Sequence, residues 1–447
     1  MSIFHRAVTF ARWRLNETKD NLRLLIFWII AVGFEVALPL VRIRHTMRAR
    51  STKMHKLVTI FGWYGFETIG DAAVLAAIVH ELSTEIGAQA KFSIISYDLP
   101  HTMRMLNDLT LEKEVDVVEG KKNSLKLIRR SDLIIIGGGP LLEDNIMFDW
   151  LKKVICAKAF NKPVAIYGCG VGPILTNPIK RAVRMIANIS DIVTVRDAQS
   201  EEQLRSLKVR NKILVTADPS VAFPGLFIPT SASAIRSAKP TVCVSLRQRA
   251  DPQPLPPNFT RTIARVLDKV TKEKDAKIVF LNLQTHPYDD DRVIDAEVYR
   301  LMSEKDAVID YMNQRSLSEI IHVLEGAELL IGMRLHALIF AAAKGVPTIG
   351  LGMTNGKLSA FLKAIHQEDC FLDIREVTEE ALLEKIHKVW LDERRKQIIL
   401  VGMNRLKDLS RVGSNIISKL LWPNYSEILP SLALPRISLS SDRELCS

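Results

Sequence analysis

Ala327-Glu328-Leu329-Leu330-Ile331-Gly332-Met333-Arg334-Leu335-His336-Ala337-Leu338-Ile339-Phe340-Ala341-Ala342-Ala343-Lys344-Gly345-Val346-Pro347 decides the fold. The apolar run from Ala327 to Ile331 predicts a strand. The small apolar residues after Leu335 predict a helix that stops at Lys344-Gly345-Val346-Pro347. Arg334 and His336 then stand at a helix N-terminus, on the carboxyl end of a strand. Unpaired backbone N–H groups and the helix dipole favour anions there, and open α/β sheets bind ligands along that edge. A guanidinium fork, an imidazole and free amides together suit a small phosphorylated or carboxylated ligand.

The same rhythm extends on both sides of this stretch. Strands are predicted at residues 57–63, 92–97, 115–118, 133–136, 164–167, 192–195 and 213–216, with a helix at 71–86. Residues 227–240 lose the rhythm and read as a linker. A second series opens at 242–246 and continues at 278–283, 329–331 and 348–351. These runs are apolar on both faces, as buried parallel strands are. The fold class expected is α/β, with two doubly wound, Rossmann-like domains at 56–226 and 241–422 and a ligand cleft between them. Residues 379–421 read as helical and are expected to cross back onto the first domain, and 423–447 read as a loose tail.

The net charge of +11 is not spread along the chain. Residues 1–56 hold eleven Lys/Arg against Glu17, Asp20 and Glu35, a net of +8, which leaves +3 for the other 391 residues. A global field for nucleic acid is therefore not expected. The segment 1–55 also carries Leu24 to Phe34, eleven apolar residues in a row, which reach Val41 only by including Glu35 and Pro39. A spanning helix wants about 20 apolar residues. Arginines flank the run on both sides, so an apolar, basic helix dipping into an anionic membrane surface over 24–41 is the expectation. The five cysteines are scattered, without C-x-x-C or zinc-ligand spacing, and read as reduced thiols of a cytoplasmic catalytic region. No cofactor is required by the motifs below.

Glycine marks the ends of several predicted strands. The signals are Gly62-Trp63-Tyr64-Gly65-Phe66-Glu67-Thr68-Ile69-Gly70-Asp71, then Gly137-Gly138-Gly139-Pro140-Leu141-Leu142-Glu143-Asp144, then Gly168-Cys169-Gly170-Val171-Gly172-Pro173. Glycines admit a ligand close to the backbone and leave N–H donors unobstructed. Neither a P-loop nor the G-x-G-x-x-G spacing of a dinucleotide fold occurs. Gly70, Asp71, Gly138, Gly139, Gly170 and Gly172 are thus the candidate loop residues of the first domain. Asp71 is either a helix cap or a group that activates a hydroxyl.

In the second domain, Ser245-Leu246-Arg247 and Leu283-Gln284-Thr285-His286 end strands on the same rim as Arg334 and His336. His286 is either a satisfied loop histidine or a further ligand contact. Asp289-Asp290-Asp291 resembles a metal-binding acidic cluster, but it lacks partner ligands and is expected to be a solvated turn, so no metal is assigned.

On these residues, together with Val195-Arg196-Asp197 and Asp218-Pro219, the chain resembles the polysaccharide pyruvyl transferase family over roughly residues 57–360. Two positions depart from the family pattern: Thr68 replaces an Asn, and Ala72 an acidic residue. The resemblance implies a glycosyltransferase-B-like pair of domains. It also implies transfer of a pyruvyl group from phosphoenolpyruvate to a sugar as a ketal, with release of phosphate. By resemblance, Arg247, Arg334, Leu335 and His336 bind the donor, with His286 a further candidate. His336 and Asp71 are the candidate catalytic groups, and the first domain takes a glycan acceptor. The leader makes a lipid-linked acceptor and attachment to the inner face of the cytoplasmic membrane attractive. Two other readings fit the same motifs: a nucleotide-sugar glycosyltransferase of the same architecture, and a non-catalytic membrane-associated anion- or glycan-binding protein.

Overall fold

The computed structural model describes residues 55–226 and 239–422, apart from short interruptions at 67, 108, 110, 112, 143, 251–252, 287–288 and 314. The basic leader with its segment 24–41, nearly all of the 227–240 linker and the 423–447 tail lie outside the described residues. Among the described residues, no helix is long and apolar enough to cross a membrane.

Seven strands of the first half form one parallel sheet. In chain order the elements are β1 (Lys56–Phe61), α1 (Ile69–Ile86), β2 (Ala90–Ser96), α2 (Leu99–Asn107), β3 (Val115–Glu119) and α3 (Gly120–Arg130). They continue with β4 (Leu133–Gly137), α4 (Ile146–Ala159), β5 (Val164–Cys169), α5 (Asn177–Ile189), β6 (Ile192–Val195), α6 (Ala198–Ser206) and β7 (Ile213–Val215). The strand order is β3-β2-β1-β4-β5-β6-β7, so the direction of winding reverses between β1 and β4. β4 and β5 are buried along their whole length, which is why their sequences do not alternate.

The second half repeats the plan. It runs β8 (Thr241–Ser245), a small hairpin of β9 (Arg249–Ala250) and β10 (Gln253–Pro254), α7 (Phe259–Lys274), β11 (Lys277–Phe280) and α8 (Asp291–Leu301). Then come β12 (Val308–Asp310), α9 (Leu317–Glu325), β13 (Leu329–Gly332), α10 (Leu335–Ala343), β14 (Thr348–Gly352), α11 (Lys357–Ala364) and β15 (Phe371–Asp373). Its parallel order is β12-β11-β8-β13-β14-β15, with the reversal between β8 and β13. Such reversal points open the crevice in which doubly wound sheets bind ligands. The hairpin and the three-residue strands β12 and β15 were not expected, being too short to leave a periodic signal.

Two helices tie the halves together. α1 is apolar nearly all round, the signature of a helix buried on more than one side. Ala73, Ala76 and Ala77 pack into the core of the second half, while Val74, Leu75 and Ile78 pack into that of the first. After α12 (Glu379–Val389), the long α13 (Glu393–Ser418) buries Ile399 and Met403 against the second half. Its far end places Ile416 and Ile417 in the core of the first. The helical return expected from residues 379–421 is thus formed.

Candidate functional site

β13 ends at Gly332, where the Met333 N–H donates to the Ser245 carbonyl, 2.7 Å away on β8. Arg334 then takes the N-cap position of α10 in an extended conformation, and His336 falls in the first turn. Both side chains line a cavity of about 110 Å³ between the halves, together with Leu335. The opposite wall comes from Thr68 and Asp71 at the start of α1 and from Gly138, Gly139, Gly168 and Gly170. A backbone bridge closes the seam: the Ile69 N–H donates to the Leu283 carbonyl at 3.0 Å, and Gln284 Nε2 to Thr68 Oγ1 at 3.2 Å.

The glycine rim is built by its conformation. Gly138 and Gly139 have φ of 89° and 84°, where a side chain is strained. Tyr64 Oη donates to the Gly137 carbonyl at 2.6 Å and fixes the turn from below.

His336 occupies a slot between the halves. A Cβ at Gly70 would collide with its Nδ1, so the helix backbone of α1 is the floor on which the imidazole rests. Its Nε2 is buried without a hydrogen-bond partner among the described residues and stands 3.8 Å from Asp218 Oδ2. Asp218 itself is well held. Its Oδ1 accepts from Ser220 N and Oγ at 3.1 and 2.7 Å, and Arg196 Nη1 reaches Oδ2 at 3.3 Å. Burial alone would raise its pKa, but His336, Arg196 and Ser220 outweigh that and hold the carboxyl far below the usual range. Asp71 is the opposite case. Burial, with Asp218 adding repulsion, pushes it up to about 6, although His336, Thr68 and Lys357 pull the other way. Two carboxyls in one cavity with pKa values driven apart are the pattern expected of a proton carrier beside a permanent charge. Thr68 is the N-cap of α1, so Asp71 is not the cap that one reading of the sequence allowed.

Arg334 is held by acids. Its Nε donates to Asp291 Oδ1 at 3.1 Å, and Nη2 reaches Asp291 Oδ1 and, at 3.0 Å, Asp289 Oδ2. Nη1 has no acceptor among the described residues. Asp289 Oδ2 also accepts from Arg247 Nε at 2.8 Å. Asp291 Oδ2 accepts the N–H groups of Leu283 and Gln284. Burial pushes Asp291 up to about 6 despite the Arg334 charge. The acidic triplet is therefore not the solvated turn expected of it: Asp291 is fully buried, Asp289 is 8% exposed, and Asp290 caps α8. Its polar composition gives no hint of this, because the arginines that bury it lie more than 40 residues away.

Among the other expected residues, Gly70 seats His336 without lining the cavity, and Gly172 lies outside it. Arg247 is drawn to Asp289, and His286 packs at a tilt against Phe66 and His101; neither lines the cavity. Arg196, Asp218 and Lys357 do line it and were not singled out as site residues. Arg196 packs across Gly170, where a Cβ would strike the guanidinium. Charged residues recurring at strand ends were the signal for Arg196 and Asp218; Lys357, after Gly356, carried none. Among the described residues, no group of acids, histidines or cysteines is placed to hold a metal ion.

The chain is 20% identical over 292 residues to the amylovoran biosynthesis protein AmsJ of Erwinia amylovora, covering 62% of this chain and 70% of that one. Among solved structures it superposes on the S. aureus MnaA–UDP co-structure with a TM-score of 0.58 at 11% identity, over 86% of this chain and all of that one. A putative UDP-N-acetylglucosamine 2-epimerase from Listeria monocytogenes gives a TM-score of 0.59 at 12% identity, over 83% of this chain and 97% of that one. These likenesses establish the glycosyltransferase-B-like, Rossmann-type fold. The pattern of polysaccharide pyruvyl transferases matches residues 69–355, well over half the chain and across both sheets; the chain belongs to that family.

Proposed function

We propose that this protein transfers the pyruvyl group of phosphoenolpyruvate to a sugar of a polysaccharide or lipid-linked glycan, forming a ketal and releasing phosphate. One observation carries the reading. Arg334, Arg196, Lys357 and His336 converge with a glycine rim on a cavity of about 110 Å³. That is below the roughly 300–1,000 Å³ of pockets for drug-sized ligands. A three-carbon dianion matches both the size and the charge.

In this reading Arg334 Nη1, Lys357 and the first turn of α10 take the phosphate and carboxylate. His336 delivers a proton to the methylene carbon, leaving positive character at C2. A sugar hydroxyl adds there, its proton passing to Asp71, whose pKa near 6 suits a carrier at neutral pH. The C2–O bond to phosphate breaks with the electron pair leaving on phosphate, and a second hydroxyl closes the ketal at C2, its proton returning to His336. Arg334 and Lys357 offset the charge that gathers on the departing phosphate. The second half thus serves the donor and the first half the acceptor.

We further assign residues 24–41 to the cytoplasmic face of the membrane, where anchoring would concentrate the enzyme near a lipid-linked acceptor. Flotation with anionic vesicles, lost on deletion of residues 1–50, tests this.

The deciding experiment incubates purified protein with phosphoenolpyruvate and glycan acceptors, and follows phosphate release and the pyruvyl mass increment. Thermal protection by a nucleotide sugar and not by phosphoenolpyruvate would select the ordinary glycosyltransferase instead. Turnover unaffected by His336→Ala would refute the site.

A further inference from the structure

A second, wider depression opens beside the cavity. It encloses about 830 Å³ between α2 and the start of α9, within the range of pockets that hold sizeable ligands. Ile69 and Ala72 form its floor, and His101, Arg104, Asn107 and Glu319 are among its walls. Ala72 is one of the two positions that depart from the family pattern, and the missing carboxylate leaves the floor apolar.

The two spaces are joined by rings. Trp63 lies over Gly139 on the cavity rim, where a Cβ would strike the indole, and its Nε1 donates to the Pro140 carbonyl at 2.9 Å. Phe66 follows with its ring centre 5.4 Å from that of Trp63. His286, from the second half, is 6.2 Å from Phe66, and His101 is 6.1 Å from His286. All four residues are half-buried. His101 is also a wall of the wide groove.

We propose that the strip Trp63–Phe66–His286–His101 carries an oligosaccharide acceptor of several sugars, with the reacting unit at the glycine rim and the preceding units in the wide groove. The inference rests on the proposed transfer to a glycan and names the length class of its acceptor. The C–H face of a pyranose is apolar and faintly positive, which suits the negative face of an aromatic ring. Sugar hydroxyls need donors and acceptors together, and Arg104, Asn107 and Glu319 supply that mixture. A single sugar would reach only the first ring.

The test is calorimetric titration of the full chain, without donor, using mono- to tetrasaccharides of galactose, glucose and mannose. In at least one series, affinity is expected to rise about tenfold or more from one sugar to four. Phe66→Ala and His101→Ala should each weaken tetrasaccharide binding about five- to tenfold while changing monosaccharide binding by less than about twofold. Phe66→Leu keeps apolar bulk and removes the ring face, so it should lose the same affinity with the fold intact. His286→Ala should weaken the tetrasaccharide and leave phosphoenolpyruvate binding unchanged. Absence of saccharide binding, affinity independent of length, or losses equal at every length would overturn the proposal. So would a His286→Ala variant that loses phosphoenolpyruvate and keeps the tetrasaccharide. Tetrasaccharide binding without any turnover of phosphoenolpyruvate would instead sink the donor reading and leave the strip standing.

Discussion

Asp218 Oδ2 stands 3.8 Å from His336 Nε2 across the seam between the two halves, so a charge from the first sheet faces the imidazole of the second. Neither half holds this pair alone. Separation of the lobes takes the imidazole away from the carboxylate it faces. Asp218→Asn keeps the shape and the Ser220 contact but removes that charge. Turnover is expected to fall about 10–100-fold, with the acceptor KM nearly unchanged. Steady-state phosphate release checks this, and full activity of the Asn variant would remove Asp218 from the proton pathway.

Gly70 gives a purely steric version of the same test. A Cβ there would enter the space of His336 Nδ1, so Gly70→Ala must push the ring out of its slot. A displacement of about 1 Å at a catalytic group can cost about 10²-fold in rate. The expected result is a loss of that size in kcat, with a native far-UV circular dichroism spectrum.

The strand–helix junction at Arg334 and the glycine rim were legible because each is written in consecutive residues. A strand, a turn and a helix start leave local patterns, whereas the strand order and its reversal points came only with the structure. The partners were not legible. Asp289 and Asp291 look like loop acids until Arg247 and Arg334 arrive from over 40 residues away. Asp218 and Arg196 stood out only as charges at strand ends, and the meeting with His336 depends on how the lobes dock. Arg247 shows the same limit: a basic residue on the right rim still needs to know which acid claims it.

That claim changes how Arg334 must be tested. Arg334→Ala leaves the fully buried Asp291 without its cation, and breaking such a pair costs about 3–5 kcal/mol. For a chain of this size the melting temperature should drop by about 3–5 °C. Loss of activity in that variant therefore confounds unfolding with chemistry. Arg334→Lys keeps the charge without the fork, and should recover part of the stability while turnover stays at least about tenfold down. Differential scanning fluorimetry alongside phosphate release separates the two effects.

Asp71 predicts a trade between stability and activity. Its carboxyl titrates near 6 in the folded state against an ordinary value of 3.8, so the native protein binds the proton more tightly than the unfolded chain. Stability from this group falls as pH rises through that window, and the penalty is fully present above it. Asp71→Asn removes a penalty of up to about 3 kcal/mol at pH 7. Below about pH 4 it should change little, because both states are then protonated. The variant should melt higher at neutral pH and turn over far more slowly; a lower melting temperature at pH 7 would contradict the buried-carboxylate account.

Glu81 locks the returning helix by similar chemistry. Its Oε2 accepts from Tyr167 Oη on β5 and from Ser410 Oγ on α13 at 2.5 and 2.7 Å, while Oε1 has no partner among the described residues. Burial pushes this carboxyl up to about 7, although both hydroxyls and Arg411 favour the charged form. The native state again holds the proton more tightly, so this group's contribution to stability weakens between about pH 4.5 and pH 7 and stays low above. Glu81→Ala removes the acceptor shared by the Tyr167 and Ser410 hydroxyls, at a cost of about 1–3 kcal/mol. Glu81→Gln keeps an acceptor for them and cannot ionise, so it should match the wild type at pH 5 and exceed it at pH 8. Urea denaturation of the three proteins at both pH values decides the point. A Gln variant weaker than wild type at pH 8 would mean that the charged carboxylate, and not its hydrogen bonds, fastens α13 across the two halves.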